Sequence, residues 1–251
     1  MKNSISHQRI DKFLQQKLSL KKTAIRLALA RGDVVVDGKV IRDANTIVHK
    51  FSRIDYQQQN LQANNAISIL LHKPSGVVSA VKDTEHPTVI DTLRSHNKNA
   101  QIIDDSLIDE LHIAGRLDRF TTGLLLLTND SRFSERISLP TSKVAKYYRV
   151  TLANELTEEY IAAFADGMYF GYEDITTKPA ELAIISSHVA QVKLVEGRYH
   201  QIKRMFGRFR NPVVALHRYA IGNLTLESEL LPGQFRCLTD GEVSALLSYN
   251  T

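Results

Sequence analysis

The 251-residue chain contains one cysteine, Cys237, which excludes an intramolecular disulfide framework and a cysteine-rich zinc site. It has no apolar run approaching the length of a membrane span, and its opening MKNSISHQRIDKF lacks the apolar stretch of a signal peptide. A cytoplasmic protein without a membrane partner is the expectation. His200 has no second histidine, cysteine or carboxylate at ligand spacing, so no metal is expected. No repeat of solenoid or propeller period is visible.

What is present is a hydrophobic content of 43%, enough for a real core in one or two domains, and an uneven distribution of charge. The formal net charge is +5, and it belongs to the front of the chain. Residues 1–60 hold twelve Lys or Arg against five Asp, whereas the remainder holds 20 basic and 22 acidic residues. A second basic cluster, at 191–219, has seven Lys or Arg and Glu196 as its sole acid. Two separate basic patches suit two contacts with one polyanion.

In chain order, Ile10, Phe13, Leu14 and Leu18 recur at helical spacing. Ser19 is placed to cap a second helix, LKKTAIRLALAR, which Gly32 would end. Valines then flank Asp37-Gly38, a dipeptide that favours the type I′ turn of a hairpin. Lys21, Lys22, Arg26 and Arg31 lie on or around the second helix, where they form either a phosphate-binding face or a merely solvated one. The helix pair and its LxxGxVxVDG-like finish resemble the small RNA-binding domain named after ribosomal protein S-four. The polar stretch YQQQNLQANN (56–65) reads as a linker, placing a domain boundary near residue 61.

Beyond it, a strand at 66–71 runs into the turn KPSG, Val77, Val78 and Val81 resume a strand, and Pro87 opens a short helix, VIDTLRS. Residues 96–106 read as an exposed loop. The stretch GRLDRFTTGLLLLTND (115–130) then delivers Asp118, between Arg116 and Arg119, at the mouth of a leucine run of the kind that forms a strand buried on both faces. A carboxylate held rigidly beside cations suits a nucleophile; it equally suits a plain salt bridge. In KVAKYYRVTLA, Lys146 and Tyr148 share a strand face, and a tyrosine there either faces a cleft or packs in the core. Glu196-Gly197 turns the chain into RYHQIKRMFGRF, a helix with Arg198, His200, Lys203 and Arg204 near its start, where phosphate would be bound. Thr239 and Glu242 form a capping box for a closing helix.

In this order LHKPSGVVSA, GRLDRFTTGLLLLTND, KYYRV, EGRYHQIKRMF and VVALHRYAIGNLTL resemble the pseudouridine synthase family of the RsuA type, which modifies ribosomal RNA, over nearly the whole chain. The resemblance implies an α+β protein, in which a small N-terminal α/β RNA-binding domain (1–60) precedes a mixed, mainly antiparallel β-sheet catalytic domain with flanking helices (61–251). It implies that Asp118 is the nucleophile, that Tyr148 lies against the target base, that Lys203 pairs with Asp118, and that Arg116 fills the hole left by the extracted base. Many family members carry Arg where this chain has Lys203, which resembles the branch acting on small-subunit rRNA but loses a bidentate fork. Arg198, His200, Gln201, Arg204 and Arg218 are expected to contact RNA, with Leu216 as an apolar wall. The expected function is a monomeric, cofactor-free rRNA pseudouridine synthase acting on small-subunit rRNA or the assembling small subunit. A large-subunit enzyme of the same family and a non-catalytic rRNA-binding or ribosome-assembly factor are the alternatives. A glycosidase would require a second carboxylate, for which Asp130 is poorly placed.

Overall fold

Ile10, Phe13 and Leu14 are buried on one face of α1 (Ile10–Leu18), where they meet Ile25, Ala28 and Leu29 of α2 (Lys22–Arg31). The computed structural model describes residues 7–63 and 66–249, and these fall into two compact units, Met1–Ala66 and Ile67–Thr251. In the first unit β1 (His7–Arg9) precedes α1, and β2 (Val34–Val36), β3 (Lys39–Val40), β4 (Ile47–His49), β5 (Ile54–Tyr56) and β6 (Gln59–Gln62) follow α2. β1 pairs with β4, and the others form a sheet ordered β3-β2-β5-β6. Asp37 and Gly38, at φ 49° and 79°, turn β2 into β3 with the two positive angles of a type I′ hairpin.

Two local expectations fail in this unit. Ser19 does not cap α2; it ends α1 at φ 54°, and Lys21 precedes α2 with no side-chain cap. The stretch read as a linker is an element of the sheet: Gln57 and Gln58 make the turn and lead into edge strand β6. Gln62 anchors that strand by donating from Nε2 to the carbonyls of His49 and Ser52 at 2.8 and 2.7 Å. An amide does here what an apolar side chain does elsewhere, so no hydrophobic alternation announces the strand. The division between units falls after Ala66.

The second unit contains β7 (Ser68–Lys73), α3 (Val89–Ala100), α4 (Asp105–Ile108), β8 (His112–Ala114), β9 (Thr122–Thr128), α5 (Ser131–Ser138), β10 (Lys146–Leu152) and α6 (Glu159–Asp166). There follow β11 (Tyr169–Phe170), β12 (Ile175–Thr176), β13 (Glu181–Ser186), β14 (Val189–Leu194), α7 (Gln201–Gly207), β15 (Val213–Ile221), β16 (Leu224–Thr225), β17 (Phe235–Cys237) and α8 (Asp240–Leu247). Nine strands make one sheet, ordered β13-β14-β10-β15-β9-β7-β17, with β16 paired to β15 and β8 to β9. Its pairings are antiparallel except that of β15 with β9. This is the mixed, mainly antiparallel α+β architecture expected.

The four leucines of β9 are fully buried and divide by parity. Leu125 and Leu127 enter the larger core with Leu93 of α3, Phe164 of α6 and Phe206 of α7. Leu124 and Leu126 face the other core, built with Phe133 and Ile137 of α5 and Leu246 of α8. Such two-sided burial makes β9 a stiff mount for the loop that precedes it.

The segment from Val77 to Val81 does not form the strand expected. It contributes only a bridge from Val78 to Thr88, because Ser79 turns aside to the loop before β9, donating to the Leu117 carbonyl at 2.7 Å and accepting from the Leu117 N–H at 3.1 Å. Helix α3 begins at a capping box between Thr88 and Asp91 and runs on to Ala100. Most of the supposed loop at 96–106 is therefore the end of α3 and the short α4. Asn97 ties the two together through the backbone of Ile102 and Ile103.

Candidate active site

Asp118 lies in the loop joining β8 to β9, and this loop is set by the register on both flanks of β9. β8 pairs with the distal half of β9, Ala114 opposite Leu126, while β15 takes the proximal end in parallel, with His217 opposite Thr122 and Arg218 opposite Gly123. On the other flank Lys73 of β7 is also opposite Gly123. Lys73, Gly123 and Arg218 thus form one row across three strands.

Both cations in that row are buried, and both hold the loop by its carbonyl oxygens. The Lys73 ammonium donates to the carbonyls of Pro74, Arg119 and Thr121 at 3.0, 2.9 and 2.9 Å. Burial pulls its pKa down to about 8, and the negative charge of Asp118 works against that pull. Arg218, 1% exposed, donates through Nε to Leu124 at 2.8 Å and through its two Nη atoms to Gly115 at 2.9 Å and Arg116 at 3.5 Å. Charged donors to carbonyls contribute about 1.5–3 kcal/mol each, so the pair fixes both ends of the loop. The KPSG turn joins in: Gly76 N–H donates to the Arg119 carbonyl at 3.0 Å, and Arg119 Nε returns to the Gly76 carbonyl at 3.2 Å.

The carboxylate so mounted meets a different basic side chain at each oxygen. His200 Nε2 lies 3.4 Å from Oδ1 and Lys203 Nζ lies 3.5 Å from Oδ2. Two point partners stand where a guanidinium would have supplied one fork. The arginines beside Asp118 in sequence do not pair with it. Arg119 turns away to Gly76 and to His86 Nε2 at 3.0 Å, and Arg116 is exposed with no side-chain partner among the described residues.

His200 and Lys203 are delivered by the EGRYHQ segment, which has its own buried brace. Glu196, 2% exposed, accepts from Lys178 N–H at 2.9 Å, from Gln201 Nε2 at 2.7 Å and from Arg198 Nε at 3.2 Å. Gln201 Oε1 in turn accepts from the Arg198 N–H at 3.0 Å. His200 precedes α7 in the left-handed region, at φ 48°. Its ring stacks on that of Tyr199, with centroids 3.9 Å apart and planes inclined by 20°.

These elements enclose a cleft of about 660 Å³ lined by Arg116, Asp118, Lys146, Tyr148, Arg198 and His200, among others. An adjoining recess adds Lys203, Leu216 and Thr121 to its walls. Tyr148 is 7% exposed, and its hydroxyl has no hydrogen-bond partner among the described residues. Lys146 is 5% exposed, donates to the Val144 carbonyl at 3.2 Å, and has its pKa lowered to about 8 by burial and by the nearby Arg218 charge.

Of the residues singled out in the sequence, Asp118, Tyr148, Lys203, Arg116, Arg198, His200 and Leu216 therefore surround one cavity. Three others brace the site, and two of them, Gln201 and Arg218, also line its cavities. Arg218 is committed to backbone carbonyls, Gln201 is 3% exposed and faces Glu196, and Arg204 forms a bidentate pair with Glu173 at 2.6 Å while lying 3.8 Å over the Phe170 ring. Lys21, Lys22, Arg26 and Arg31 are all exposed on the first unit. Sequence reasoning missed Lys73, whose only signal is a charge at the end of the apolar run ILLHK, and it missed Glu196 as an anchor.

Residues 67–207 match the family model described as RNA pseudouridylate synthase. The chain is 42% identical over 239 residues to the ribosomal small subunit pseudouridine synthase A of Pseudomonas aeruginosa, covering 95% of this chain and 100% of the relative. It is 36% identical over 240 residues to the protein of the same name from Escherichia coli, again covering 95% and 100%. A solved structure described as a crystal structure of pseudouridylate synthase superposes with a TM-score of 0.65 at 36% identity, covering 95% of this chain and 99% of that one.

Proposed function

The chain belongs to the RNA pseudouridylate synthase family, and from that premise we propose that it isomerises a uridine of small-subunit ribosomal RNA to pseudouridine in the cleft around Asp118. The observation that carries this reading is the carboxylate itself, borne on a loop fixed by two buried cations and faced by Lys203 at one oxygen and His200 at the other. The named relatives supply the RNA class, since both are small-subunit enzymes over essentially their full length.

The reaction breaks the bond from uracil N1 to the ribose, turns the base, and rejoins it through C5. N1 gains a proton and C5 loses one, so the balance requires no external electrons and no water. Asp118 is the nucleophile, with Lys203 as its ionic partner at one oxygen and His200 beside the other. The target base must first leave its stack, at a cost of a few kcal/mol. Tyr148 and Leu216 offset part of that cost by packing against it, and the exposed Arg116 enters the space it leaves. The first unit, with its S-four-like helix pair, binds RNA phosphates through Lys21, Lys22, Arg26 and Arg31. We propose a cytoplasmic monomer that needs no cofactor and acts on rRNA or on the assembling small subunit.

Incubating a small-subunit rRNA transcript, and separately the assembling particle, with purified protein in EDTA is expected to yield pseudouridine at one position in at least one of them. Failure on both contradicts the reading. Removing residues 1–66 is expected to lower the slope of log affinity against log salt by about 3, as the loss of four phosphate contacts requires. An unchanged slope in a salt titration would assign the first unit another purpose.

A further inference from the structure

We propose that Tyr199 forms a nucleobase subsite at the rim of the cleft, where the open face of its ring takes the base of a nucleotide next to the target uridine. The inference rests on the isomerase reading above and extends it to a residue that the Asp118 chemistry does not use.

Tyr199 is 75% exposed although its ring has a partner. One face stacks on His200, with centroids 3.9 Å apart, which leaves the exposed remainder of the ring to the other face. The backbone beneath is anchored on both sides, by the Glu196 brace and by Arg204 Nη1, which donates to the Tyr199 carbonyl at 3.4 Å. His200 sits at φ 48°, a conformation uncommon outside glycine, and such a conformation held by its surroundings directs attention to function. Tyr172, which is 98% exposed, has no ring or cation–π partner among the described residues. Single exposed aromatics of that kind are ordinary. Tyr199 differs because it is pre-ordered and shares its cavity with Arg116, Arg198 and Lys146.

An aromatic face among cations fits a base carried on a phosphate backbone. The need for such a face follows from the reaction. With Arg116 filling the hole left by the target uracil, a neighbouring base displaced by the extraction can find its stacking partner in a protein ring at the cleft rim. The Tyr199 ring is suited to do so because little of its freedom is left to lose on binding. Through His200 it is one stacked ring away from Asp118.

The test uses the full chain and the small-subunit rRNA fragment that it binds most tightly, with abasic residues introduced one at a time along that fragment. Tyr199→Ala is expected to melt as the wild type does and to bind roughly ten- to a hundredfold more weakly. Tyr199→Phe should bind within about threefold of wild type, since the stack needs the ring alone. One abasic position, adjacent to the converted uridine, should weaken the wild type to a similar degree and should not weaken Tyr199→Ala further. Unchanged affinity of Tyr199→Ala overturns the proposal. So do abasic losses that add to the mutation at every position, and so does a loss confined to the rate at saturating RNA. If the wild type converts no uridine, the isomerase reading fails, yet the binding scan still reports whether Tyr199 holds a base.

Discussion

Asp118→Asn is expected to lower pseudouridine formation on the order of 10⁴-fold or more while leaving RNA affinity within about tenfold. The amide is nearly isosteric, so the loop clamped by Lys73 and Arg218 keeps its shape and the change removes the charge alone. Lys203 and His200, at 3.5 and 3.4 Å, then face a neutral group, and any electrostatic gain from the missing pair falls on the RNA phosphates. Affinity should therefore hold or rise slightly while the chemical step is lost. Single-turnover conversion and a parallel binding isotherm separate the two. A variant that converts uridine at a rate near wild type would remove Asp118 from the role of nucleophile.

Gly123→Ala is expected to destabilise the second unit by about 4 kcal/mol or more, lowering its thermal midpoint by about 10 °C. At φ 107° the backbone is strained for any residue with a β-carbon, and an added Cβ would stand 2.2 Å from the Arg218 carbonyl oxygen. The contact is with backbone, so no rotamer relieves it. Either β15 moves away from β9, withdrawing Arg218 from Gly115 and Leu124, or β9 shifts and carries Asp118 with it. Both outcomes cost activity beyond the loss of folded protein. Urea unfolding of the variant should show the deficit, and a value within 1 kcal/mol of wild type would mean that the three-strand row is looser than its register implies.

What was legible in the sequence depended on how local its cause was. The I′ turn at Asp37-Gly38, the two-sided burial of Leu124 to Leu127 and the capping box at Thr239 and Glu242 each follow from a few adjacent residues. The convergence of Asp118, Tyr148 and Lys203 came through motif resemblance, since nothing in their spacing brings three distant segments to one cleft. Bracing roles are illegible where the partner of a polar or charged side chain lies far along the chain. Arg218 looks exposed in LHRYA until the parallel pairing of β15 with β9 places it over the carbonyl of Gly115, 103 residues away. Arg204 looks free until Glu173 is beside it. Lys73 reads as part of the KPSG turn, yet it lies where three loop carbonyls need a donor. Cations of this kind brace the site through partners that no local pattern announces.

The central claim, that this chain isomerises a uridine of small-subunit rRNA through Asp118, is tested most directly by mapping pseudouridine in that RNA from cells lacking the protein and from the same cells supplied with wild type or with Asp118→Asn. The account predicts one position that loses its pseudouridine in the deletion, regains it with wild type, and stays unmodified with Asp118→Asn. A pseudouridine pattern unaltered by the deletion, or one restored equally by both proteins, would contradict it.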